Sequence, residues 1–120
     1  MTRYYLPLCT AIAISLTACG MLGSLTSQTL IQAHNSFVLG DNAHGSFRAK
    51  LTNTSNHDLK VFQTPIAGGS HSPVWVHPQQ TVRVQVDRDT ALRIENPSDE
   101  TVAIDLVVHG DTGLSMGYQQ

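Results

Sequence analysis

Cysteine is absent from the body of this chain. The two cysteines, Cys9 and Cys19, both lie in the apolar N-terminal stretch. The remainder can therefore form no internal disulfide, hold no thiolate-bound metal and offer no thiol nucleophile. Charge is scarce too: Asp, Glu, Lys and Arg make up 13% of the 120 residues, with 7 Lys+Arg against 9 Asp+Glu. Nucleic-acid binders draw much of their affinity from neutralised phosphates and carry a clear basic excess. No such excess exists here, and no nucleic-acid partner is expected. Long apolar runs are missing as well. The one apolar stretch, residues 4–16, is interrupted by Pro7, Thr10 and Ser15 and falls short of the ~20 residues a membrane-spanning helix needs. Serines are plentiful, but none comes with a recognisable base partner. The acidic pairs Asp87/Asp89 and Asp99/Glu100 sit in turn-forming segments, where a carboxylate caps backbone amides. The chain is expected not to be an enzyme, and no cofactor is implied.

The N-terminus is more informative. A positive charge at Arg3 precedes the apolar residues 4–16, and the segment closes on Leu16-Thr17-Ala18-Cys19. That quartet resembles the lipobox of bacterial lipoprotein precursors, in which a branched apolar residue and two small ones precede an acylated cysteine. A secretory leader with an incidental cysteine is the competing reading. The resemblance covers only the leader and the cysteine. It implies a signal peptide over residues 1–18, diacylglyceryl and palmitate groups on Cys19, and a membrane partner reached through that N-terminal lipid in the cell envelope. Gly20 stands where an aspartate favours inner-membrane retention, so the resemblance implies the outer membrane, with the periplasmic or surface face left open. Without the leader the chain has one arginine fewer and is mildly acidic.

Residues 19–33 read as a lipidated N-terminus and tether, because residues 21–32 show neither sustained alternation nor a charged helical face. Leu22, Leu25, Leu30 and Ile31 form a helical turn in the alternative reading. From His34 onward apolar residues alternate with polar ones in short runs, the period of half-buried strands. Val82, Val84 and Val86 alternate with Arg83, Gln85 and Asp87, and Val102, Ile104, Leu106 and Val108 do so in a strand expected to be central. Runs around Phe37, Phe47, Leu59, Val74 and Leu92 complete the set, and Leu114, Met116 and Tyr118 suggest a last edge strand. Turn formers punctuate them: Gly40-Asp41-Asn42, Gly68-Gly69-Ser70 and Asn96-Pro97-Ser98. The prediction is an all-β domain over residues 34–120, a small antiparallel two-layer β-sandwich of about seven strands.

An internal echo runs through this domain. Moving 43 places along the chain carries Leu51 to Ile94, Asn53 to Asn96, Ser55 to Ser98, Leu59 to Val102 and Val61 to Ile104. Convergent turn chemistry and duplication both account for it. The segments Leu51-Thr52-Asn53-Thr54-Ser55 and Ile94-Glu95-Asn96-Pro97-Ser98 are similar to turns of bacterial immunoglobulin-like and fibronectin-type sandwiches. The resemblance implies an immunoglobulin-like domain, although the inter-sheet cysteine pair of antibody domains is missing.

Six histidines (His34, His44, His57, His71, His77 and His109) raise a metal site, yet they lack the HxH or HExxH spacing that brings ligands together locally. The stretch with most to offer recognition is residues 64–78, a long connection holding Gly68-Gly69, Trp75, His71 and His77. Trp75 alternates out of phase with Val74 and Val76. If the valines face the core, its indole faces outward and can stack on a sugar or fill a partner's pocket; a covered Trp75 in reversed phase is the other reading. Arg48, Lys50, Arg83 and Arg93 form a basic stripe if their strands are neighbours.

The expectation is a lipid-anchored, non-catalytic module that binds an envelope protein or glycan through Trp75, His71 and His77. A histidine-based periplasmic metal-binding lipoprotein and an inhibitor of an envelope-lytic enzyme are the alternatives.

Overall fold

The structure, a computed structural model, describes residues 24–120; residues 1–18, read above as a signal peptide, and Cys19 lie outside the described residues. Nine strands follow one another: β1 (Ser24–Ile31), β2 (Asn35–Leu39), β3 (Phe47–Asn53), β4 (Leu59–Pro65), β5 (Val74–Val76), β6 (Thr81–Val86), β7 (Thr90–Asn96), β8 (Val102–Gly110) and β9 (Met116–Gln119). They form two antiparallel sheets, ordered β1-β8-β3-β6 and β5-β4-β7-β2-β9. The expected two-layer all-β sandwich is what forms. Alternation dictates it: in β3, Phe47, Ala49, Leu51 and Asn53 turn inward while Arg48 and Lys50 face solvent. β8 repeats the pattern and lies between β1 and β3, the interior place its half-covered Val107 implied. The core between the sheets runs from Ile31 to Val108, with Phe47, Leu39, Leu51, Leu59, Leu92, Ile94 and Ile104 almost wholly shielded. Each such side chain stabilises the fold by ~1.5–3 kcal/mol. Among the described residues, all of this core lies within the sandwich.

Two expectations need correction. Nine strands stand where about seven were predicted, and the tether does not extend to residue 33. Ser24–Ile31 pairs with β8 along its whole length, from Ser24 opposite His109 to Ile31 opposite Val102; it is neither a tether nor a helical turn. The alternation was hidden because Ser27 and Thr29 occupy inward positions beside Leu25 and Ile31. Their hydroxyls bond each other at 2.9 Å, which reduces the cost of placing them there.

The internal echo is architectural. Exchanging β1-β2-β3-β4 with β5-β6-β7-β8 carries the β1–β8 ladder onto β5–β4 and the β2–β7 ladder onto β6–β3. Residue for residue, Ile31 opposite Val102 becomes Val76 opposite Leu59, and Phe37 opposite Ile94 becomes Val82 opposite Leu51. At the centre the register differs by two residues: Leu51 faces Leu106, whereas Ile94 faces Val61 and not Gln63. An even offset keeps every side chain on its own face.

The strongest expression of the echo is a pair of buried asparagines, Asn53 (0% exposed) and Asn96 (1%), at the ends of β3 and β7. Asn53 donates to the carbonyls of His57 (2.7 Å) and Val76 (3.0 Å) and accepts from the amide (3.0 Å) and hydroxyl (2.6 Å) of Ser55. Asn96 donates toward the carbonyls of Glu100 (2.7 Å), Ile31 (3.0 Å) and Gln32 (3.1 Å) and accepts from the amide (3.0 Å) and hydroxyl (2.6 Å) of Ser98. Each side chain thus ties the crossover between the sheets to the last residues of an edge strand, β5 in one case and β1 in the other.

The opposite end is held by loops. Asp111 accepts from the amides of Gly45 (2.6 Å) and Gly113 (2.8 Å), and Asp89 accepts from the amide of His44 (3.0 Å). His44 is buried with one ring nitrogen on the Thr90 carbonyl (2.9 Å) and the other on that of Gly45. Gly110 (φ 108°) must remain glycine, because a Cβ there would sit 2.9 Å from the Ser46 carbonyl oxygen. The two amides hold the Asp111 carboxyl below its ordinary 3.8, helped by nearby His44 and opposed by desolvation.

Asn53→Ala and Asn96→Ala will each cost ~2–4 kcal/mol in denaturant unfolding, since both strand several carbonyls without a donor. A loss below ~0.5 kcal/mol in either variant contradicts the role given to these side chains. Asp111, with its lowered pKa, stabilises the fold above its unfolded-state value and loses that contribution as pH falls through the folded one. Asp111→Asn will therefore be less stable than the parent at neutral pH, and the difference will shrink during acid titration followed by circular dichroism. A constant gap down to strongly acid pH contradicts the assignment.

Candidate functional site

The two halves differ in two places, and both differences meet at one corner. β1 spans eight residues and covers β8 from Val102 to His109. Its counterpart β5 spans three and covers only Leu59, Lys60 and Val61 of β4. Likewise β2 has β9 on its outer side, whereas β6, among the described residues, pairs with β3 alone. The outer edge of β6 therefore faces the uncovered part of β4 across an open seam. There a groove of about 460 Å³ is lined by Phe62, His71, Val74, Val82, Val84 and Leu92 among others. Val82 and Val84 are only half-buried although they point toward the core.

A single hydrogen bond among the described residues crosses the seam between these strands, from the Gln63 side-chain amide to the Gln85 carbonyl at 3.2 Å. The Gln63 backbone carbonyl is taken by the His71 amide (2.8 Å). Along β6, alternate residues point their N–H and C=O groups away from β3, a row that a further strand could pair. Val74, which lines the groove, is 55% exposed; Trp75, next to it on β5, is 47% exposed, and Ile66, just after β4, is 50% exposed. Trp75 faces outward opposite Lys60, while Val76 is sealed in the core; the covered, phase-reversed reading of Trp75 does not hold. Proteins seldom leave apolar side chains clustered at an unpaired edge without use.

His71 thus lines the groove and Trp75 adjoins its Val74 along β5, but His77 does not join them. Its Nδ1 bonds the Asp58 carboxylate (3.0 Å) at the asparagine end of the sandwich. His34 with Asp99 (2.6 Å) and His57 with Glu100 (2.8 Å) are paired at that same end. These exposed pairs contribute little to stability. Each resembles the base half of a catalytic triad, yet among the described residues no hydroxyl bonds any of the three rings. Among the described residues no three of His, Cys, Asp or Glu converge in the manner of a metal site. Gly113-Leu114-Ser115-Met116-Gly117 has the Gly-x-Ser-x-Gly spacing of a nucleophile elbow, which requires a sharp strand-to-helix turn. Ser115 instead leads into β9; its amide donates to Asn42 (2.9 Å) and its carbonyl accepts from Gly40 (2.8 Å).

The basic stripe forms only partially. Arg48 and Lys50 on β3 and Arg83 on β6 share the outer face of the four-stranded sheet, Lys50 directly opposite Arg83. His109 joins them opposite Arg48. Arg93 lies in the other sheet, over Val38 and bonded to Gln119 (2.6 Å). The sequence pattern marked Trp75 and His71 but not Val82 and Val84, whose regular alternation is that of ordinary core valines.

No protein-family model matches the chain, and no curated protein is significantly similar to it. The site is therefore read from its geometry.

Trp75 is the only tryptophan. Its native fluorescence will be quenched readily by acrylamide, and Trp75→Ala will shift stability by no more than ~0.5 kcal/mol. A blue-shifted, unquenched emission contradicts the outward placement.

Proposed function

We propose that this protein is a lipid-anchored, non-catalytic module of the bacterial outer membrane that binds an envelope protein presenting an extended segment at the β6 seam. What carries the reading is the coincidence, among the described residues, of an unpaired β6 edge, a half-covered β4 and the exposed Val74 and half-buried Val82 and Val84 that line the groove between them, with the exposed Trp75 next along β5. An extended segment supplies backbone groups for the free edge and apolar side chains for the groove, the recognised mode of strand addition. A rigid ligand lacking a peptide backbone satisfies only the second. The anchor reading rests on Leu16-Thr17-Ala18-Cys19 and on the lipobox it resembles.

Two measurements test the two halves of this reading. Cells fed labelled palmitate will label the chain, and Cys19→Ser will abolish the label; an unlabelled parent chain removes the anchor. A photo-reactive residue at Val74 or Val84 will crosslink to one and the same envelope protein, whereas one at Gln119 on the opposite edge will not. Trp75→Ala will weaken binding of that protein about 10- to 30-fold, the scale of a buried aromatic anchor. Equal crosslinking from Gln119, or undiminished binding by Trp75→Ala, removes the seam as the binding site.

A further inference from the structure

The outer face of the four-stranded sheet carries charge that no carboxylate of the described residues neutralises by an ion pair. The sequence has 7 Lys+Arg, one of them Arg3 in the leader. Of the others, Lys60 and Arg93 lie against Glu95 and Arg88 against Asp89. Arg48, Lys50 and Arg83 have no carboxylate of the described residues within 4.0 Å, the span of the longest of those ion pairs. They stand together around a shallow hollow that His109 also lines. Cross-strand registers place Ser24, His109, Arg48 and Gln85 in one row of this face and Thr26, Val107, Lys50 and Arg83 in the next. The carboxylate of the face, Asp105, lies one row further, beside Thr52 and Thr81. Like charges directly opposite, as in Lys50 and Arg83, destabilise a sheet. Their clustering in an acidic protein calls for an anionic counterpart.

The position of the patch says which counterpart. Ser24 begins β1 at the end of the row that holds His109 and Arg48. Two strand spacings separate the backbones of Ser24 and Arg48, ~10 Å. Cys19 precedes Ser24 by five residues, a span of at most ~18 Å when fully extended. A lipid on Cys19 therefore holds this edge of the sheet within reach of the headgroups.

We infer that the Arg48–Lys50–Arg83 face lies against the membrane and binds anionic phospholipid headgroups, leaving the β6 seam beside it open to its partner. The inference rests on the anchor reading for its orientation. Attachment is then twofold: the acyl chains hold the protein, and the basic face sets its orientation.

The test uses the chain from residue 19 onward with Cys19→Ser, so that no lipid contributes; the sandwich it contains carries the whole core. Sedimentation with vesicles of phosphatidylcholine mixed with phosphatidylglycerol will bring the protein down at low salt, and vesicles of phosphatidylcholine alone will not. Arg48→Gln, Lys50→Gln and Arg83→Gln combined will weaken binding ~100-fold, about five-fold per cation. Arg88→Gln will leave it unchanged, and a thermal melt will show the triple variant at least as stable as the parent, since the Lys50–Arg83 repulsion is relieved. Equal binding to neutral vesicles, undiminished binding by the triple variant, or no binding to anionic vesicles overturns the inference. So does full competition by inorganic phosphate at matched phosphorus, which marks a discrete anion site. Because this chain carries no lipid, missing acylation in cells removes the anchor and the orientation drawn from it but not the vesicle binding, and missing vesicle binding removes this face alone.

Discussion

Two buried asparagines hold the sandwich closed at one end, and the form of the rest follows from them. A β-sandwich must let its chain cross from sheet to sheet without leaving backbone groups unpaired in the core. Asn53 and Asn96 meet that demand twice with the same set of bonds, differing by at most 0.1 Å at the serine hydroxyl and amide, the turn carbonyl and the edge-strand carbonyl. A polar side chain so deep in an apolar core is tolerated because its donors and acceptors are filled. The bond from Asn96 to Ile31 also seats β1, and that from Asn53 to Val76 seats β5. A short edge strand such as β5, with three paired residues, would otherwise fray.

Once both halves are pinned in the same way, their differences become informative. The long β1 and the added β9 complete one side of the molecule. The short β5 and the uncovered β6 leave the other side unfinished. Both omissions expose backbone and apolar side chains at the same corner, so the candidate site is the place where the echo between the halves breaks down. The loop between β4 and β5 holds the missing strand length as Gly68 and Gly69, both with positive φ and with open space around them.

Charge follows the same division. Acidic side chains gather at the two ends, where Asp58, Asp99 and Glu100 pair with histidines and Asp89 and Asp111 cap loops. The unpaired cations collect on one broad face. In a chain whose total charge is small and negative, such segregation produces a local potential that net charge conceals.

Strand alternation is a local property, and most of the fold was legible from it: Phe47 to Leu51, Val82 to Val86 and Val102 to Val108 each declare one wet and one dry face. The Asn-Ser echo declared equivalent turns. β1 was not legible, because Ser27 and Thr29 sit at inward positions and only pairing with β8 makes Ser24–Ile31 a strand. Trp75 and His71 were marked by the long connection around them, yet the separation of His77 depended on where Asp58 lies. The seam was invisible for a stronger reason. Val82 and Val84 alternate as core residues do, and their incomplete burial comes from the absence of a neighbour beyond β6. The amino-acid sequence by itself determined the layered β architecture, the turns and the lack of any thiol within the sandwich, because these depend on residue type and spacing alone. Tertiary structure decided which strands became edges and which cations became neighbours, because edge position and cross-strand register are set by pairing between segments far apart in the chain.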